Sequence, residues 1–148
     1  MMSLQDWLNK KWIIPHRTSA QEIGDLFRIA DRDITQSQIP GLDNDTRLSI
    51  AYNAALQCCA AALAATGYRA GHEAHHYRLI QSLKYTIQID AVIIGLLDDF
   101  RKKRNISDYE RAGTVSQKEA TEMIELATKL RKLVHQWLCT NSPELMKE

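Results

Sequence analysis

Residues 116–141 read SQKEATEMIELATKLRKLVHQWLCTN, and this stretch decides the fold class. Ser116 followed three residues later by Glu119 is a capping box: the serine hydroxyl takes the glutamate amide while the carboxylate returns to the serine amide, which starts a helix. Met123, Ala127, Leu130, Val134 and Trp137 then recur at steps of four and three, so they lie on one helical face. A stripe of this length needs other helices to cover it. The pattern stops near Asn141 to Pro143, and residues 144–148 read as a frayed tail.

Working back toward the N-terminus, the segment after Asp90 carries Val92, Ile93, Leu96, Leu97 and Phe100 and ends in the polar run Arg101 to Asp108. Its β-branched trio Val92, Ile93 and Ile94 would suit a strand, but no partner strand is visible, so it is read as helix. Before it, His72 to Tyr85 reads as a helix with Tyr77, Ile80 and Leu83 facing inward, preceded by a turn over Gly67 to Gly71. Asp45 reads as the cap of an alanine-rich helix with Leu48, Ala51, Tyr52, Ala55, Leu56, Cys59, Ala62 and Leu63 on one stripe, ending at Gly67. Ser19 and Glu22 repeat the capping pattern ahead of Ile23, Phe27, Ala30 and Ile34, giving a helix over Ser19 to Thr35. Pro40 and Gly41 mark the connection that follows. Residues 1–16 read as a short N-terminal helix, Leu4 to Ile14, that Pro15 ends. The expectation is an all-α, antiparallel up-and-down bundle of four to five helices with no sheet, spanning residues 1–148 as one domain.

Composition narrows the function classes. Lysine and arginine total 19 against 18 acidic residues, a net charge of +1, so no global field draws the chain to nucleic acid or membrane and recognition has to be local. Cys58, Cys59 and Cys139 form neither a disulfide framework nor a zinc spacing, which points to a reduced, cytoplasmic protein. The N-terminus lacks the apolar core of a signal peptide, and the longest apolar stretch, Cys58 to Ala65, reads as too short to span a bilayer.

Two constellations carry chemistry. The first is Phe100-Arg101-Lys102-Lys103-Arg104-Asn105-Ile106-Ser107-Asp108-Tyr109. Cations gather at helix C-termini because the macrodipole favours them there, so a solvated cap is one reading. Phosphate recognition is the other, since arginine presents a planar fork to phosphate oxygens and an amide can orient a ribose or a base edge. Asp98 and Asp99 stand one turn or less before the run, placed to pair with Arg101 or Lys102. The second constellation is His72, Glu73, His75 and His76, at spacings that would suit a transition metal but without a fourth ligand. It is read as a helix start, with no metal and no cofactor. The cysteine pair and Trp7, Trp12 and Trp137 read as core or interface residues.

Arg104, followed at once by Asn105 and separated by four residues from Tyr109, resembles the signature of the HEPN superfamily, an arginine and often a polar residue followed by a histidine after four to six residues. The likeness continues in the alanine-rich segment from Ala51 to Gln57, its Thr66-Gly67 turn and the His75-His76 pair that follows, and covers Asp45 to Leu138. It implies a HEPN-like bundle that binds or cleaves RNA, as a homodimer, often beside a nucleotidyltransferase antitoxin. Arg104 and Asn105 match the motif; Tyr109 occupies the histidine position. A phenol with an ordinary pKa of about 10 is a poor base at neutral pH, so the expected function is binding of nucleic acid or nucleotide through Arg101, Arg104, Asn105 and Tyr109 without robust cleavage. A metal-independent ribonuclease toxin and an adaptor that binds a protein partner are the rival readings. One of the histidines reaching Arg104 across the bundle would replace the missing base. A two-fold dimer would make Arg101 to Arg104 of both chains converge.

Overall fold

Ser116 and Glu119 exchange both bonds of the capping box, and from there helix α6 runs unbroken over Gln117–Asn141. In the computed structural model, which describes residues 2–109 and 114–147 and only the backbone of 106–109, five further α-helices precede it: α1 (Leu4–Asn9), α2 (Ala20–Gln36), α3 (Asn44–Ala65), α4 (His75–Ser82) and α5 (Ala91–Tyr109). The fold is an all-α bundle. Met123, Ala127, Leu130 and Val134 are buried as the stripe requires.

Helix α3 lies at the centre, packed against both α2 and α6. Burial exceeds the expected stripe: Ala54, Cys58, Ala61 and Ala64 are covered as well, because small side chains on every side let neighbouring helices close in. By length and composition this 22-residue helix is apolar enough to cross a membrane, a correction to the shorter stretch read from sequence, but most of it is buried inside the bundle. Two seams position its neighbours. Asp33 of α2, itself buried, accepts a 2.7 Å bond from the Asn53 amide of α3. Arg131 of α6 makes a bidentate pair with Asp31 at 2.9 and 3.1 Å, and Phe27, one turn back on α2, meets His135 one turn on, so α2 and α6 run antiparallel.

Several expectations are corrected. The chain has a small sheet: β1 (Ile13–Pro15) pairs antiparallel with β2 (Tyr68–Ala70), with Ile13 opposite Ala70 and Pro15 opposite Tyr68. The expected turn over Gly67 to Gly71 is therefore mostly strand, and α1 ends at Asn9, where Lys11 adopts a left-handed conformation, well before Pro15. The bundle holds six helices among the described residues instead of four to five. The cap of α3 is Asp43, which accepts the Thr46 amide at 2.7 Å, while Asp45 accepts the Val115 amide at 3.3 Å and ties the start of α3 to the start of α6. Ser19 caps α2, but the Glu22 carboxylate turns to Thr18 and His16 instead of completing the box. Helix α4 begins at His75, three residues late, because Ala74 is left-handed. Residues 143–146 form a 3-10 turn against α2, with Leu145 and Met146 packed on the core, so this part of the tail is not frayed.

Candidate nucleic-acid interface

Helix α5 does not end at the basic run but carries it in its interior, with the backbone helical to Tyr109. Among the described residues, carboxylates of the same chain hold Arg101, Lys102 and Lys103. Asp98, one turn back, accepts Arg101 at 2.8 Å and lies 3.4 Å from Lys102. Lys103 crosses to Glu119 of α6 at 3.1 Å, where the Ser116 amide, and then Lys103, hold the Glu119 carboxyl below its ordinary range. The expected pairing of Asp98 with Arg101 or Lys102 is made with both, and Glu119 takes Lys103 as well.

Arg104 lies on the inward side of the same helix. Leu97, Phe100, Arg101 and Arg104 follow one another at helical spacing on the side of α5 that meets the bundle, with Leu97 and Phe100 buried and both arginines half-buried. From there the Arg104 guanidinium lies over the ring of Tyr52 in α3, 5.4 Å from its centre. The His76 ring of α4 sits against the same phenol, 5.9 Å between centres. Three helices thus bring a cation, an imidazole and a phenol together. Arg101 extends the group, 5.3 Å from the ring centre of Tyr77.

Each member is tuned by this setting. Tyr52 is 1% exposed, and its hydroxyl has no hydrogen-bond partner among the described residues. Burial pushes the phenol well above its ordinary value against the pull of Arg104 and Arg101, so it stays protonated. Burial, then the cations of Arg104 and, beyond His75, Arg101, lower the pKa of His76. At neutral pH its imidazole is uncharged and offers both a donor and an acceptor nitrogen. An anion that reaches half-buried Arg104 would meet charge-assisted N–H donors, with the His76 imidazole packed against the same ring of Tyr52.

The other sequence candidates part company here. Asn105, adjacent to Arg104 in sequence, is exposed, and the side chain of Tyr109 lies outside the described residues. His75 bonds the Gly71 carbonyl at 2.9 Å and lies 6.0 Å ring to ring from His76, while His72 is exposed; among the described residues no three potential ligands gather around a metal position. Burial pushes the Cys58 thiol up to about 12 and Cys59 well above its ordinary value, so both behave as small core side chains. From sequence Tyr52 reads only as a residue of the apolar stripe of α3 and His76 only as one of three histidines; their nearness to Arg104 is made by the packing of α3, α4 and α5. No family model, no curated protein and no solved structure matches this chain.

Proposed function

We propose that the chain is a HEPN-like protein that binds the phosphate of RNA or of a nucleotide at Arg104, as a cytoplasmic homodimer. One observation carries this reading: Arg104 and His76 each pack against the ring of buried Tyr52, which brings a half-buried guanidinium and an uncharged imidazole to one phenol. Half-burial strengthens such a contact, because less water screens the arginine. Support for the dimer comes from α5 itself, where Val92 and Leu96 are 66% and 44% exposed beside a shallow groove that Phe100 and Leu126 also line. Fluorescence anisotropy with labelled RNA tests the reading, with Lys102→Ala as a surface-charge control. Arg104→Ala lowers affinity by about tenfold or more, the cost of a lost charge-assisted phosphate contact, and Lys102→Ala much less. Equal affinities in all three proteins would remove Arg104 from the site.

A metal-independent ribonuclease, acting as a toxin with a nucleotidyltransferase antitoxin, is the second reading. The placement of His76 favours it, since a neutral imidazole near Arg104 supplies the base that Tyr109 does not. The first reading expects RNA to survive incubation with the purified protein in chelator. Cleavage that disappears in both Arg104→Ala and His76→Ala would establish the second.

A further inference from the structure

Beside Tyr77, whose ring Arg101 approaches, the surface opens into a groove of about 510 Å³ lined by aromatic and cationic side chains together with Met2 and Gln81. Trp12, Tyr77 and Tyr85 line it together with Trp7, which is almost fully buried, and Arg78 and Lys84 supply the charge. Among the described residues that line it there is no carboxylate. The rings form a connected array: Trp7 meets Trp12 edge to face at 5.8 Å and Tyr85 at 5.4 Å. The Arg78 guanidinium lies only 3.5 Å from the ring centre of Trp12 and 5.3 Å from that of Tyr77, while Arg101 approaches Tyr77 at the same 5.3 Å. Tyr77 is thus shared between the groove and Arg101 of α5.

We infer that this groove is a stacking platform for the unpaired bases of a single-stranded nucleic acid whose phosphate is held at Arg104; the inference rests on the phosphate-binding reading above. The chemistry of the lining selects the ligand. Aromatic faces and an arginine plane stack on any base, and cations alongside follow the phosphates, the combination that single-stranded nucleic acids require and that a duplex, with its bases already stacked, does not use. The groove has the size and concavity of a small-ligand site, room enough for a base to enter edgewise. Tyr77 joins it to Arg101, one turn of α5 before Arg104, which sets cationic charge next to the base.

The test is binding of a short fluorescein-labelled oligouridylate, the same strand annealed to its complement, and polyglutamate as a base-free polyanion. Variants are Lys84→Glu, an exposed position where packing is not disturbed, Tyr77→Leu, which keeps an apolar side chain, and Arg104→Ala. The single strand binds in preference to duplex and polyglutamate, and Lys84→Glu and Tyr77→Leu each weaken it by about tenfold. Affinity unchanged in both groove variants but lost in Arg104→Ala would overturn the platform and leave the phosphate site standing. Weakening in the groove variants with Arg104→Ala unaffected would support the platform and remove the Arg104 reading. Duplex or polyglutamate bound as tightly as the single strand would overturn the platform, and a wild-type protein that binds none of them would overturn both.

Discussion

Arg104 of α5 lies with its guanidinium 5.4 Å from the centre of the Tyr52 ring in α3, and His76 of α4 stands against the same ring. The relationship fixes the charge state of its members: a cation close by and burial both disfavour a second positive charge, so the imidazole is held neutral.

The coupling of His76 to Arg104 is directly measurable. Its pKa is lower in the folded chain than the ordinary histidine value of about 6.5, so the folded state binds this proton less readily than the unfolded one. Stability from this group is complete above the unfolded value and falls as pH drops through the window down to the folded value. In Arg104→Ala one of the lowering causes is gone, so the His76 midpoint, followed by proton NMR of the ring, moves upward. A midpoint that does not move would show that the two groups do not sense each other.

At Gly71 the close approach is of backbone to backbone. A Cβ added there would sit 2.9 Å from the Lys11 carbonyl oxygen and 3.3 Å from that of Trp12, neither of which can swing aside. The Gly71 amide also donates to the Trp12 carbonyl at 2.9 Å. Gly71→Ala therefore destabilises the chain by about 1–3 kcal/mol, the usual cost of overpacking, and shifts Trp12. Urea unfolding followed by tryptophan fluorescence measures this; an unchanged midpoint would mean that the strand pair yields at no cost.

Leu130 is fully buried on α6 against the central helix. Leu130→Asp places a carboxylate in an apolar seam with no designed partner, a cost of several kcal/mol and comparable to the whole stability of a domain this size. The variant is unfolded or insoluble by circular dichroism and sedimentation. Native helicity with an unchanged melting curve would mean that the α6 stripe faces elsewhere.

The parts of the fold that were legible in the sequence are those written in local chemistry. Ser19 and Ser116 mark helix starts because a hydroxyl three residues before an amide is a local arrangement, and the α6 stripe repeats often enough to fix its inward face. The strand pair was not legible, since each strand has three residues and the partners lie far apart in sequence. The late start of α4 depends on a left-handed Ala74, which no residue type there announces. Arg104 was singled out through its sequence neighbours Asn105 and Tyr109, and Asp98, read as a partner of Arg101 or Lys102, pairs with both. Tyr52 and His76 join it only through the packing of α3, α4 and α5, a tertiary fact. The pairing of Lys103 with Glu119 was not legible either, because the two residues lie on different helices.

The central claim is that Arg104 contacts a phosphate, and the salt dependence of RNA binding tests it most directly. Each cation that neutralises a phosphate on a single strand contributes about 0.7 to the slope of log affinity against log salt concentration. Measured by anisotropy across a salt series, the slope for Arg104→Ala is shallower than wild type by about 0.7, with lower affinity at every concentration. Parallel lines of equal affinity for the two proteins would contradict the account.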